Sequence, residues 1–398
     1  MTQPAHGARI SAVMREGERV KPLELFFDLV FVLAITQCTA LMVDAPSWGG
    51  IAKAMLVLAL LWWAWTGYAW LTSVVDPEEG AIRIALIAAM AALLLVAISM
   101  PDAFDGGALE FALAYSAVRA AHIALFVIAS RDDQALRRSV LGLSLGAGVG
   151  CSLLIAGSLL DTGPQIALWA LALTFDMAEP YFASADAWRL VPLHFAERHG
   201  LIVIVALGES IVALGVGADV GLTFGIAAAA VLGIVLVSEL WWVYFDIVAI
   251  ANVRRLVNAP PGRVQNELAR DVYSYLHFPL VAGIVIAAFG LHETLAHVED
   301  PLKTVPAFAL LGGVAIYLLG HVAVRLRGAR SVNRRRLILA VVLLALVPVT
   351  VELEIASLAV LGAITAMLCV LIVLETIQYG EGRVRVRRAF DHQDFELS

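Results

Sequence analysis

Glu24 and Asp28 lie one helical turn apart at the start of an apolar run long enough to cross a membrane, Glu24-Leu-Phe-Phe-Asp28-Leu-Val-Phe-Val-Leu-Ala-Ile-Thr-Gln37. An ionised group inside hydrocarbon costs roughly 2.5–3.5 kcal/mol on insertion scales, so such groups face a bundle interior or a wet cavity and take partners. The chemistry open to them is binding a small cation, holding a proton or forming an ion pair. A second polar helix reads His194-Phe-Ala-Glu197-Arg198-His199-Gly-Leu-Ile-Val-Ile-Val-Ala-Leu-Gly208-Glu209-Ser210. It sets Glu197 and Arg198 at one end and Glu209 with Ser210 near its middle. Gly208 lets a neighbouring helix, water or ion come close. A third acidic stretch ends at Glu239 and Asp246, and Tyr273 and His277 sit one turn apart just before Pro279, which frees a backbone carbonyl nearby. Arg119, close to His122, is the interior arginine away from any span end.

The elements that carry these groups are membrane helices. The chain is 61% hydrophobic and 15% charged, with mean hydropathy +0.87, against about 25% charged residues in a soluble domain. The apolar residues gather in runs of about 20, the length that crosses the hydrocarbon core. Twelve spans are expected, near 23–43, 51–74, 81–100, 107–129, 138–160, 164–182, 194–217, 221–247, 271–291, 305–325, 335–350 and 354–377. With the N-terminus cytoplasmic, all of the 27 Lys and Arg residues except Lys53, Arg119 and Lys303 fall on the cytoplasmic side, as the positive-inside rule requires. The fold class is therefore an all-α polytopic membrane protein of about 12 transmembrane helices with both termini cytoplasmic.

The two halves of the sequence echo one another. Leu61-Trp62-Trp63 matches Leu240-Trp241-Trp242, Arg137-Arg138 matches Arg335-Arg336, His122 matches His321, and Asp176 matches Glu375, in order and at similar offsets. This predicts a parallel six-plus-six repeat. The organisation is a cytoplasmic N-terminal segment at 1–22, six-helix repeats at 23–182 and 183–377, and a cytoplasmic tail at 378–398.

Several features have plainer readings. Glu24 and Glu197 can cap helix N-termini, Asp246 can sit beside an aromatic belt, and the span histidines can be interhelical hydrogen-bonders. Gly142, Gly146 and Gly150 form a close-packing face. The tryptophans near Trp62 and Trp241 suit interfacial anchoring. Cys38, Cys151 and Cys369 all fall in apolar runs, and no zinc spacing, Walker loop or dinucleotide fingerprint occurs. Neither metal nor cofactor is indicated, nucleic acid is not an expected partner, and no nucleophile–base pair has the spacing of an enzyme.

These blocks resemble the bacterial low temperature requirement A (LtrA) family of membrane proteins. The likeness rests on Glu24-Leu-Phe-Phe-Asp28-Leu-Val-Phe, on Glu197 to Ser210, on Trp241-Trp-Val-Tyr-Phe-Asp246, on Tyr273-Ser-Tyr-Leu-His277-Phe-Pro279-Leu and on Gly290-Leu-His-Glu293. It implies a multi-pass protein of the bacterial inner membrane and names no activity. The residues predict a transporter or channel for a small cation or a proton-coupled solute. Asp28 and Glu209 carry charge, with Arg198 or Arg119 as counter-ion and His277 as proton relay. Glu24, Glu197, Asp246, Ser210 and Tyr273 complete the candidate site. The competing expectation is a non-transporting membrane protein that binds a lipid or protein partner.

Overall fold

A computed structural model describes residues 19–396 except 79, 132, 183–185, 187 and 218–222, with side chains followed as far as Gln378 and not at 81 or 135. Most of the expected 1–22 segment, including Arg9 and Arg15, and the side chains of the expected 378–398 tail lie outside the described residues.

Every apolar run is helical, because backbone N–H and C=O groups in hydrocarbon must be satisfied within the segment. The helices are α1 (Pro22–Asp44), α2 (Trp48–Thr72), α3 (Gly80–Ser99), α4 (Ala108–Ala129), α5 (Gln134–Ser158), α6 (Thr162–Phe182), α7 (Pro192–Gly217) and α8 (Phe224–Phe245). They continue with α9 (Val248–Val257), α10 (Arg263–Leu268), α11 (Phe278–Ala296), α12 (Thr304–Ala329), α13 (Arg334–Glu352) and α14 (Ser357–Glu396). A π-helical stretch, Ala269–Tyr275, joins α10 to α11.

Ten described segments are long and apolar enough to cross a membrane. The expectation of twelve is thereby reduced at α6 and α13. Both are helices of nearly spanning length, 21 and 19 residues. However, α6 carries Asp176, Glu179 and Pro180 near its end, and α13 opens on three consecutive arginines. The expected ninth span also changes shape. Its first residues wind as the π-helix, and α11 restarts with Pro279 in its first turn, where the missing N–H costs nothing.

Helix ends follow local chemistry. Pro22 opens α1, and Glu24, two residues on, accepts the Lys21 backbone N–H at 2.8 Å, the reciprocal half of a capping box. Thr223 and Asn333 cap α8 and α13 through their side chains. Arg330, in the left-handed region at φ 49°, closes α12.

The chain divides into two compact units. Unit 1 comprises residues up to 34, 60–195 and 261–266, and unit 2 comprises 35–59, 196–260 and 267 onward. In unit 1 the helices α3 to α6 pack in sequence order. In unit 2 the tightest pair is α11 with α12. A methyl group on Gly313 would stand 2.5 Å from the backbone nitrogen of Ala287, and one on Gly283 would stand 2.6 Å from that of Tyr317. These glycines let two backbones touch, the small-residue packing that helices use in lipid.

Candidate functional site

In unit 1, one turn of α1 presents both carboxylates inward. Glu24 and Asp28 are 1% and 2% exposed, whereas Phe26 and Leu29 between and beside them are exposed. Glu24 Oε2 serves as the cap. Its Oε1 lies 2.9 Å from His194 Nε2 on α7, and His194 Nδ1 lies 3.2 Å from Ser73 Oγ. Ser73 Oγ also approaches the Ala69 carbonyl at 3.0 Å. A hydroxyl has one hydrogen, and a carbonyl can only accept. When Ser73 donates to Ala69, it accepts from His194 Nδ1–H, and a single proton is then shared between His194 Nε2 and Glu24. The arrangement can store or pass a proton. Asp28 Oδ1 accepts the indole N–H of Trp65 at 2.8 Å.

Trp65 corrects an expectation. Trp62, Trp63 and Trp65 do not anchor an interface; all three are buried, and Trp65 positions a carboxylate. Trp241 and Trp242, by contrast, are half-exposed. Arg119 is also reassigned. It meets Asp176 of α6 at 3.2 Å, both side chains being buried, rather than serving as the counter-ion of Asp28 or Glu209. The glycine face of α5 explains how α6 can bring acids there. A methyl on Gly146 would stand 3.3 Å from Glu179 Cγ, and one on Gly150 would stand 3.4 Å from Asp176 Cγ. The stripe packs a helix as expected, and what it accommodates is carboxylate.

In unit 2, Glu209 is 1% exposed and accepts a hydrogen bond from the Thr36 hydroxyl of α1. It lies 17 residues into α7, so about 26 Å along the helix axis at the standard rise. That is past the middle rather than at it. Thr39 lies close to the same carboxyl. Ser210 Oγ is buried with no hydrogen-bond partner, and Gly208 faces open space. Among the described residues no Lys, Arg or His pairs with Glu209. Arg198 and His199 are buried near the start of the helix, and Glu197 between Ala196 and Arg198 is exposed.

His277 is fully buried and its two nitrogens are assigned by their partners. Nδ1 lies 2.8 Å from the Val272 carbonyl and must donate; Nε2 lies 2.9 Å from the Tyr244 hydroxyl and therefore accepts in the neutral ring. Tyr273 stacks on the imidazole with centroids 4.8 Å apart, and His199 stands edge-on to it at 5.5 Å. The π-helical stretch supplies this geometry, since Val272 reaches His277 five residues on. Asp246 ends α8, is buried and lines a cavity together with His321, Arg255, Arg336 and Glu375. Arg336 and Glu375 form a two-pronged pair at 3.0 and 2.7 Å, joined by Asn333 at 2.8 Å. Among the described residues no group of three His, Cys, Asp or Glu side chains could hold a metal ion.

Sequence reasoning overlooked His194, Ser73, Trp65, Thr36 and Asp176 as partners. Depth along the helix could have found two of them. His194 and Glu24 each sit two residues inside their helices, and Thr36 and Glu209 lie within one turn of the same depth.

The model of the family described as bacterial low temperature requirement A protein (LtrA) matches residues 19–373. An uncharacterized protein of Rhizobium meliloti (strain 1021) is 31% identical over 314 residues, covering 75% of this chain and 75% of that protein. No solved structure matches. The match of the family model over nearly all of the chain, on a scaffold of membrane-length helices, shows that this multi-pass membrane protein belongs to the LtrA family.

Proposed function

We propose that the protein moves protons or a small cation, alone or coupled to a solute, across the bacterial inner membrane, with Glu209 as the coupling group. One observation carries this reading: a carboxyl deep in α7, closed off from solvent, held by a hydroxyl and given no cation among the described residues. A lone carboxylate in hydrocarbon is expensive, so such a group holds a proton or a cation. Thr36 and Ser210 add the neutral oxygen ligands that a small hard cation takes. Asp28 with Trp65, the Glu24–His194–Ser73 chain and the Tyr244–His277 pair supply further groups that can accept or pass protons along the helices.

The same reading takes both termini as cytoplasmic and the chain as a six-plus-six parallel repeat. It is supported by His122 and His321, which lie against the rings of Tyr68 on α2 and Tyr244 on α8, the second and eighth expected spans, at 5.2 and 6.0 Å.

The test is flux in proteoliposomes loaded with a pH-sensitive dye, under imposed proton, sodium and potassium gradients. Protein-dependent dissipation of a gradient is expected, lost in Glu209→Gln and kept in Glu352→Gln, an exposed position at the end of α13. Absence of flux under every gradient, or full flux in Glu209→Gln, overturns the proposal.

A further inference from the structure

The cavity in unit 2 is a different place from the Glu209 carboxyl. It encloses about 270 Å3 at the arginine-rich ends of α8, α9, α12, α13 and α14. Arg336 is engaged there by Glu375. Arg255 and Arg325 are not so matched. Arg255 Nη1 donates to Asn252 Oδ1 at 2.9 Å, and Arg325 Nε donates to Ser331 Oγ at 3.0 Å. Both acceptors are neutral, and among the described residues neither guanidinium meets a carboxylate, although Asp246 lines the same cavity. The two like charges also lie within each other's field. Two guanidiniums converging on one opening make an anion site, phosphate above all.

Two further atoms in the lining lack partners. Asn252 is 4% exposed and its Nδ2 has no acceptor; His321 is 2% exposed and its Nε2 is unbonded. His321 Nδ1 faces the Tyr317 carbonyl at 2.9 Å and must donate to it, so in the neutral ring Nε2 is a bare acceptor. The cavity therefore asks for an anion that takes a hydrogen bond from Asn252 and offers a hydroxyl to His321. Apart from Asp246, Asn333 and the Arg336–Glu375 pair, its remaining wall is apolar, with Trp242, Ile247 and Ile372.

Position selects the source. The short helix α9 segregates its polar and apolar residues sharply and carries Arg254 and Arg255 in its last turn, the build of a helix lying in the membrane interface. The arginine-rich side is the one the positive-inside rule assigns to the cytoplasm, where anionic lipids meet basic pockets between helices.

We propose that this cavity binds the phosphodiester headgroup of an anionic phospholipid of the cytoplasmic leaflet, best matched by a phosphoglycerol. Arg255 and Arg325 take the phosphate, Asn252 donates to it, His321 Nε2 accepts from a glycerol hydroxyl, and Trp242 with Ile372 lies against the first carbons of the chains. The site is independent of transport through Glu209: lipid binding is read without flux, and Glu209→Gln leaves it unchanged.

The experiment is native mass spectrometry of the full chain in neutral detergent, titrated separately with phosphatidylglycerol, phosphatidylcholine and glycerol 3-phosphate. One phosphatidylglycerol should be retained in preference to phosphatidylcholine. Arg255→Gln and Arg325→Gln should each weaken retention about fivefold, the worth of one basic residue near an anionic surface. Arg327→Gln, an exposed arginine that pairs with Asp271, should change nothing. A thermal melt in phosphatidylcholine shows that each variant is folded. Should either cavity variant fail to fold, Asn252→Leu and His321→Phe carry the comparison. Equal retention of both lipids overturns the proposal, as does equal loss in Arg327→Gln. Binding of glycerol 3-phosphate without the lipid also overturns it, since the source would then be a soluble phosphate ester.

Discussion

Replacing Arg119 by methionine should destabilise the protein more than removing its partner Asp176. Nη2 of Arg119 stands 3.2 Å from Asp176 Oδ1. At that separation an effective dielectric near 20 gives an attraction of about 5 kcal/mol, most of which offsets the desolvation of the two charges. The outcome in a variant thus depends on what stays behind. Arg119→Met leaves Asp176 and Glu179 together beside Gly150 and Gly146 with no paired cation among the described residues. A stranded buried charge of this kind costs about 3–5 kcal/mol. Asp176→Asn leaves Arg119 with Glu179 still in its field, and Glu179 Oε2 has no other partner. That loss should be nearer 1–3 kcal/mol, the cost of one buried group losing its bond. The double variant Arg119→Met/Asp176→Leu removes the paired charges and should be more stable than Arg119→Met, since apolar replacement of a buried pair is often neutral, while Glu179, left without its cation, keeps it below the parent. The assay is unfolding in mixed detergent followed by circular dichroism, with the three variants side by side. Equal losses in the two single variants, or a double variant less stable than Arg119→Met, would refute the reasoning.

Two further outcomes follow from particular contacts. Trp65→Phe keeps the ring but removes the donor to Asp28, and should lower unfolding stability by about 1.5–3 kcal/mol, the range for a bond to a charged group; an unchanged midpoint would mean that Asp28 does not depend on Trp65. Gly313→Ala forces a methyl against the Ala287 backbone and should cost about 1–3 kcal/mol or more. Gly215→Ala, where nothing lies within 4 Å, should be neutral or stabilising by about 0.5–1 kcal/mol. Comparing monodisperse yields and melts of the two separates close packing from a general sensitivity of glycines.

The helices were legible because hydrocarbon imposes one solution on an apolar run, and eleven of the twelve runs fall on one α-helix each, the ninth being divided between the π-helical stretch and α11. Polar groups inside those runs were legible too: Asp28, Glu24, Glu209, Arg198 and His277 are all buried. Their partners were not. Asp176 meets Arg119, His194 meets Glu24 and Thr36 meets Glu209 across sequence separations that no period encodes. A tryptophan reads the same in sequence whether it lies at the membrane surface or, like Trp65, donates to a carboxylate within a bundle. The amphipathic α9 was missed because it falls between the expected spans 221–247 and 271–291, and the π-helical stretch because it straddles the start of the latter.

That π-helical stretch has a consequence for the helix that follows it. From Leu280 to Leu291 every residue of α11 is buried, so its sequence holds no polar stripe to say which side belongs where. Its rotation must come from elsewhere, and the wider winding of Ala269–Tyr275 supplies it. Each residue of an α-helix advances the chain by about 100°. Removing one residue from the wide turn would leave α11 a sound helix while swinging Gly283 and Gly290 away from α12. The extra residue is in this sense an angular offset, recorded in chain length rather than in side-chain chemistry.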